Sequence, residues 1–303
     1  MAGRKQVSLM DLRPPSKRKI GTGIHRVLVS AENNAYMAWQ CQLIHYSCLS
    51  RLGQIPLIVV HGSQEFALSP GFGQIISAGG LVRRAPSYRV TASGHEYPPR
   101  NTPGTLLYAA GMNYSADDCF ILCDPDMLFV RQPEFGRRLS ADEFRRGLDF
   151  KHRDVRHAAR KFGVALDTLD NSKLHCGVPH VIPVRDAARL ATMWLEAIDA
   201  FKLGLWEHSM YGFVMAVAKL GMDFDLTQLS VLNAHSRDPL PSYAAMIHYC
   251  CGDRIWTKRR YWKTESAPRV WDAKPFAHDG TVASEIISQI RAAKSFYSSS
   301  HIW

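Results

Sequence analysis

Two hydrophobic rhythms alternate along this chain. Short, largely apolar runs occur at Arg26-Val27-Leu28-Val29-Ser30, Pro56-Leu57-Ile58-Val59-Val60, Cys119-Phe120-Ile121-Leu122-Cys123 and Val178 to Val184. Runs of this length without polar alternation predict strands covered on both faces. Between them, apolar residues recur every three and four positions. Tyr36, Trp39, Leu43, Tyr46 and Leu49 make such a stripe over 35–52, with Gly53 placed as a C-cap. Leu190, Met193, Trp194, Ala197, Ile198 and Phe201 make another over 185–202. Further helices are predicted over 105–113, over 207–220 with Gly221 as its stop, and over 281–296. The Gly-, Pro- and Ser-rich stretch 62–104 predicts loops around one short element near 72–84. The polar stretch 140–170 predicts two short helices and a loop, and 223–231 and 244–249 read as extended. The first strand, helix and second strand have the length of a parallel crossover. The alternation as a whole predicts an α/β fold: a single large domain with a Rossmann-like, mostly parallel sheet flanked by helices. That domain is expected over 24–265, after a flexible basic arm over 1–23 and before a C-terminal extension with a helix over 266–303.

Composition narrows the class. With 303 residues, 46% hydrophobic and 21% charged, wholesale disorder is excluded. No stretch approaches the roughly 18 consecutive apolar residues of a membrane span, and no apolar segment follows the basic N-terminus as in a secretory signal. Seven cysteines without framework spacing fit a reducing, cytoplasmic setting. The net charge of +10 is local: residues 1–20 carry +5, residues 145–161 carry +5 and residues 253–263 carry +4, on an otherwise mildly acidic body. Such clusters attract phosphates of any kind.

The chemistry concentrates where the clearest strand ends. Cys119 to Cys123 runs directly into Asp124-Pro125-Asp126. In open α/β sheets ligands bind beyond the carboxyl ends of the strands. Residues i and i+2 of an extended segment point to one side, so both carboxylates can converge on one cation, and Pro125 stiffens the pair. Hard oxygen ligands suit Mn²⁺ or Mg²⁺. A simple turn after the strand is the competing reading, since Asp and Pro are both turn formers. His248 follows the predicted strand Ala244-Ala245-Met246-Ile247, either as a satisfied polar residue or as a third ligand. Gly252 permits close backbone approach there, and Arg254, Lys258 and Arg259 are candidates to face phosphates. The near-pairs Cys119/Cys123 and Cys250/Cys251 match no usual zinc spacing.

Several segments taken together resemble one family. Ala35-Tyr36 with Trp39-Gln40-Cys41, then Asn101 and Pro103, Phe120 to Asp126 with Phe129-Val130, Trp206 with Met210-Tyr211, and Ile247-His248-Tyr249 with Gly252 and Trp262 stand in the order of motifs in the metal-dependent, A-type-fold glycosyltransferases. The likeness is to the hydroxyproline O-arabinosyltransferases and peptidyl-serine α-galactosyltransferases, and it spans residues 25–263. It implies that Asp126 and His248 bind the metal against the diphosphate of a nucleotide sugar. It also implies that Asp124 reaches the ribose or a metal-bound water, and that transfer retains anomeric configuration. One motif departs: the family's Glu before Met-Tyr is Ser209 here, and Glu207 lies two residues earlier. On a helix that shift rotates a side chain by about 200°, so Glu207 does not simply inherit the role: either the local backbone differs, or Ser209 or His208 takes a modified part. The family's usual secretory-pathway membrane anchor is also missing from these residues.

The expected activity is therefore a hexosyl- or pentosyltransferase. It uses Mn²⁺ or Mg²⁺ to move a sugar from a UDP-linked donor to an acceptor hydroxyl on a peptide or glycan. The first strand end, with Ser30, Glu32 and Asn33, is placed to meet the nucleoside; Tyr36 either stacks on the base or serves the core. His175, Cys176 and Gly177 are candidates to line the acceptor site. Two other classes compete. A nucleotidyltransferase or other Mg²⁺-dependent phosphoryl-transfer enzyme also uses paired carboxylates, although no Gly-x-x-x-x-Gly-Lys-Ser/Thr loop is present. A nucleic-acid-binding role would use Trp256, Tyr261 and Trp262 among the basic residues, but no named binding motif appears, so nucleic acid is not the expected partner.

Overall fold

The computed structural model describes residues 23–63, 65–143, 151–165, 176–202, 205–227, 231–232, 236–250, 252, 255–275 and 279–299. The basic arm over 1–22, Arg254, Cys251, His175 and the part of the basic cluster before residue 151 lie outside the described residues.

The first strand, β1 (His25–Glu32), leads through a tight turn into α1 (Ala35–Ser47). Asn34 caps this helix, its side chain accepting the Met37 N–H at 2.8 Å. A π-type turn over Cys48–Leu52 prolongs it to Gly53, whose φ of 60° is the left-handed stop expected of a C-cap glycine. β2 (Leu57–His61), α2 (Pro70–Ser77), β3 (Leu81–Ala85), α3 (Asn101–Ala110) and β4 (Cys119–Cys123) follow. Beyond β4 come β5 (Met127–Phe129), β6 (Ser140–Glu143), α4 (Arg153–Phe162), β7 (Cys176–Pro183), α5 (Val184–Asp199) and α6 (His208–Lys219). Then β8 (Asp225–Thr227), β9 (Val231–Leu232), β10 (Met246–His248) and α7 (Val282–Ser299) complete the described elements.

The main sheet has seven strands in the order β3-β2-β1-β4-β7-β6-β8, and a small sheet has the order β5-β10-β9. The α/β class and the mostly parallel sheet flanked by helices are as expected. Strand composition explains the layering. Val27, Val29, Ile58, Val60, Cys119, Ile121 and Cys123 pack under α1, α2 and α7. Their alternates Leu28, Leu57, Val59, Phe120 and Leu122 pack under α3, α5 and α6 on the other face. Both faces need apolar residues, so the runs show no alternation.

Four expectations are corrected. β4 is central, but one of its neighbours is antiparallel: β7 pairs with it as Phe120 to Ile182 and Leu122 to His180. The stretch 140–170 opens with a strand, β6, whose sequence Ser-Ala-Asp-Glu carries no strand signal. Two elements, α2 and β3, occupy the region read as one, and α3 starts four residues early, at Asn101. Finally α1 is not a half-exposed amphipathic helix. Its polar Gln40, Gln42 and His45 are as buried as Trp39 and Leu43, because α2 and α7 cover the sides away from the sheet: Gln42 donates to Gln74 of α2 at 2.7 Å and His45 meets Tyr297 of α7 at 2.6 Å. Residues after 265 are thereby part of the core: Ile286, Ile290 and Tyr297 join the same cluster as Val29 and Trp39.

Candidate functional site

The strand order reverses at β1, with β2 and β3 on one side and β4 on the other. Chain segments leaving two such neighbouring strands diverge, and a crevice opens between them at their carboxyl ends. The acidic pair stands there. Val29 pairs with Cys123, so Ser30 to Asn33 runs on beside Asp124 to Asp126.

The backbone around the pair is fixed from three sides. The Tyr249 N–H donates to the Asp126 carbonyl at 3.0 Å. β10 pairs antiparallel with β5, setting His248 opposite Met127. The Phe129 N–H donates to Ser47 Oγ on α1 at 3.1 Å, and Gln289 on α7 donates to the Phe129 carbonyl at 3.0 Å. An aromatic group backs this frame: Trp39 stacks on Tyr249 with ring centres 6.1 Å apart, and Tyr261 and Trp256 meet these rings edge-on.

This frame brings Asp124, Asp126 and His248 together, one ligand atom from each lying within 4.8 Å of the others. His248 Nε2 is 3.4 Å from Asp126 Oδ1 and 3.9 Å from Asp124 Oδ2. Asp126 and His248 are buried, while Asp124 keeps 37% of its side chain exposed at the mouth. Lys258 arrives on a 3₁₀ turn over Lys258–Tyr261, and its ammonium donates to Asp126 Oδ2. Gly252 makes this approach possible, since a Cβ there would fall 2.5 Å from Thr257 Cβ. Tyr36 of α1 borders the same lysine.

The charges are strongly coupled. Burial and then the Asp126 carboxylate push Asp124 up to about 6, with solvent at its exposed side screening part of the burial cost. Burial also opposes ionisation of Asp126, but Lys258 and then His248 outweigh it and hold that carboxyl well below the usual range. For His248 and Lys258 burial disfavours the cation, yet Asp126 overcomes it and raises both. Two carboxylates and an imidazole are a donor set for a divalent cation, and the nitrogen donor suits Mn²⁺ better than Mg²⁺. Among the described residues this is the one such group. Cys119 and Cys123 are instead buried in β4.

The other predicted residues serve different places. Ser30 is buried in β1. Glu32 accepts from Asn101 at 3.3 Å and lies 3.7 Å from Arg89. Asn33 ties down the neighbouring loop, donating to the Ala67 carbonyl and accepting the Ser69 N–H. Arg259 is exposed on the Lys258 turn. Glu207 precedes α6 and Ser209 lies in its first turn, both outside the three-ligand cluster. Cys176 is fully buried against the Met210 carbonyl. The same contact puts the start of α6 beside the start of β7, on the edge where β4 ends. Trp256 is buried and Tyr261 half-buried against the core, while Trp262 is exposed, so Trp262 alone of the three aromatics is open to solvent.

Sequence reasoning missed Tyr97. Its buried hydroxyl donates to the Trp206 carbonyl at 2.6 Å and accepts the Ser209 N–H at 2.8 Å, pinning the start of α6. Nothing in the loop sequence around it signals this.

No protein-family model matches the chain, and no curated protein matches it. Solved structures do. The crystal structure of the galactosyltransferase LgtC in complex with donor and acceptor sugar analogs is similar at 16% identity and a TM-score of 0.48, over 89% of this chain and 95% of that one. An active-site mutant of LgtC is similar at 14% identity and a TM-score of 0.47, over 84% and 98%.

Proposed function

We propose that the protein is a metal-dependent glycosyltransferase that moves a sugar from a UDP-linked donor to an acceptor hydroxyl. The observation that carries this reading is the convergence of Asp124, Asp126 and His248 within 4.8 Å at the switch point of the sheet. The motif likeness supplies the reaction class, and with it retention of configuration and an acceptor on a peptide or glycan.

Asp126 and His248 would hold Mn²⁺, or Mg²⁺, with Asp124 at the open side. When bound, the cation neutralises charge that develops on the departing diphosphate. The chain's own residues do the rest. Lys258 is placed to hydrogen-bond the same diphosphate once its ammonium leaves Asp126, and Arg259 lies on the same turn. The β1 end, Ser30 to Asn33, and Tyr36 are assigned to the nucleoside, since β1 ends beside Asp124. The start of α6, with Glu207 and Ser209, forms the other side of the edge and is assigned to the acceptor.

The test is a screen of nucleotide sugars for Mn²⁺-dependent release of the nucleoside diphosphate. The parent should hydrolyse or transfer at least one, and Asp126→Ala should lose both that turnover and Mn²⁺ binding by calorimetry. Release of a sugar 1-phosphate in place of the nucleoside diphosphate, by attack at the α-phosphorus, would assign the site to nucleotidyl transfer.

A further inference from the structure

The second basic cluster of the sequence resolves into a surface that the reading above does not use. In α4, Val155, Ala158 and Ala159 pack against Ala197, Ala200 and Phe201 of the α5 end and Tyr211 and Met215 of α6. The opposite face exposes Arg153, Arg156, His157, Arg160 and Lys161, at helical spacings of three and four. Asp154, half-buried in the first turn, is the acid among them. The charges span roughly 12 Å of helix at 1.5 Å per residue. That is close to the ~8 Å Debye length at physiological salt, so they act as one patch.

An aromatic ring stands near the N-terminal turn of α4, because His208, two residues after it, lies within electrostatic reach of Asp154 and His152. Phe201, which packs under α4, stacks on His208 with ring centres 4.2 Å apart. Two residues before His208, Trp206 is 70% exposed. An exposed indole next to a row of cations matches the headgroup layer of an anionic bilayer, where basic side chains meet lipid phosphates and Trp settles at the polar–apolar boundary. A single-stranded nucleic-acid surface would call for aromatics interleaved with the charges, and α4 has none on its exposed face.

We propose that the Arg153–Lys161 face of α4, with Trp206, docks the protein on anionic membrane surfaces. The mode of docking follows from the packing. The apolar side of α4 is already committed to the core, so the helix lies on the headgroups and does not insert. Attachment is therefore electrostatic and reversible by salt. It would also bring the start of α6 close to the bilayer.

The experiment is co-sedimentation of the full chain with sucrose-loaded vesicles, either pure phosphatidylcholine or phosphatidylcholine containing phosphatidylglycerol, at low and high NaCl. Binding is expected on the anionic vesicles alone and should be lost at high salt. Each cation near a charged surface is worth about fivefold in partitioning, so Arg156→Gln with Arg160→Gln should lower it by about 25-fold. Neither side chain is in the core, so the thermal midpoint should stay at the parent's value. Trp206→Ala should weaken low-salt binding several-fold and leave the salt dependence. Equal binding to neutral vesicles, or a double variant that sediments like the parent, would overturn the proposal. So would an oligonucleotide that needs Arg156 and Arg160 for binding while anionic vesicles are ignored. None of these readouts involves sugar transfer.

Discussion

Lys258 and Asp126 are ion-paired at the end of β4, the ammonium on Oδ2 while His248 Nε2 lies 3.4 Å from Oδ1. One carboxylate thus serves two cationic partners, and a metal must share or displace them. Lys258→Met should therefore raise the affinity of the nucleotide-free protein for Mn²⁺ while weakening UDP. A charge-assisted hydrogen bond is worth about 1.5–3 kcal/mol, so each change should be on the order of 10- to 100-fold. Calorimetric titration of Mn²⁺ with and without UDP measures both. Equal loss of both affinities would mean that the lysine merely holds the site together.

Trp39 sets the depth of the same site. It is buried between Tyr249 and Tyr261, and Tyr249 carries the N–H that holds the Asp126 carbonyl. Trp39→Ala should cost about 3–5 kcal/mol of stability and, where the fold survives, weaken Mn²⁺ binding as well. Trp39→Phe should recover most of both. Denaturant melts paired with metal titrations separate the effects.

Tyr97 links the loop before α3 to the start of α6 through two hydrogen bonds from one hydroxyl. Tyr97→Phe leaves the ring in place and removes both, at about 1 kcal/mol each. Under the proposed function the acceptor KM should rise while the donor KM and Mn²⁺ affinity stay near parental values. A drop in donor affinity alone would place α6 on the wrong side of the site.

Acid should destabilise the fold through buried neutral histidines. Burial lowers His180 to about 3 and both His45 and His208 to about 4. An unfolded histidine titrates near 6.5, so below that pH the unfolded chain takes up protons that the folded chain refuses, and stability falls until the folded values are reached. Asp124, raised to about 6, works in the opposite direction as the pH drops toward the ordinary carboxyl range. A single-site difference isolates one contribution. His180 lies between Trp194 and Phe213, and neither ring nitrogen has a hydrogen-bond partner among the described residues. Between pH 7 and pH 5 its term amounts to about 2 kcal/mol. His180→Leu should flatten the fall in stability over that window by about this amount, measured by denaturant titration at the two pH values.

Much of this arrangement was legible because local chemistry and topology agree. Cys119 to Cys123 is apolar on both faces because helices cover both faces, and an acidic triplet straight after such a strand has few places to go but the carboxyl edge. Gly252 marked a close backbone approach, and Thr257 is what comes close. What was illegible depends on partners distant in sequence. Gln40, Gln42 and His45 look like a solvent face until α2 and α7 are laid over them. Residues 140–143 become a strand because β7 and β8 offer ladders on both sides, against their own propensity. No spacing rule carries His248 to Asp126; the antiparallel pairing of β10 with β5 does. Tyr97 acts on backbone groups of another segment, so the identities of Trp206 and Ser209 say nothing about it.

The helix spanning Val282–Ser299 reaches back to α1, where the Tyr297 hydroxyl donates to the Gln42 carbonyl at 3.2 Å and meets His45 Nδ1 at 2.6 Å. A chain growing from its N-terminus on the ribosome can assemble β1 to β4 early. The acidic triplet then waits more than a hundred residues for its imidazole and lysine, and longer still for the helix that clamps β5 in place. Nascent chains halted before α7 should therefore be folded in part and inert, so that the centre comes into being only once that helix has emerged.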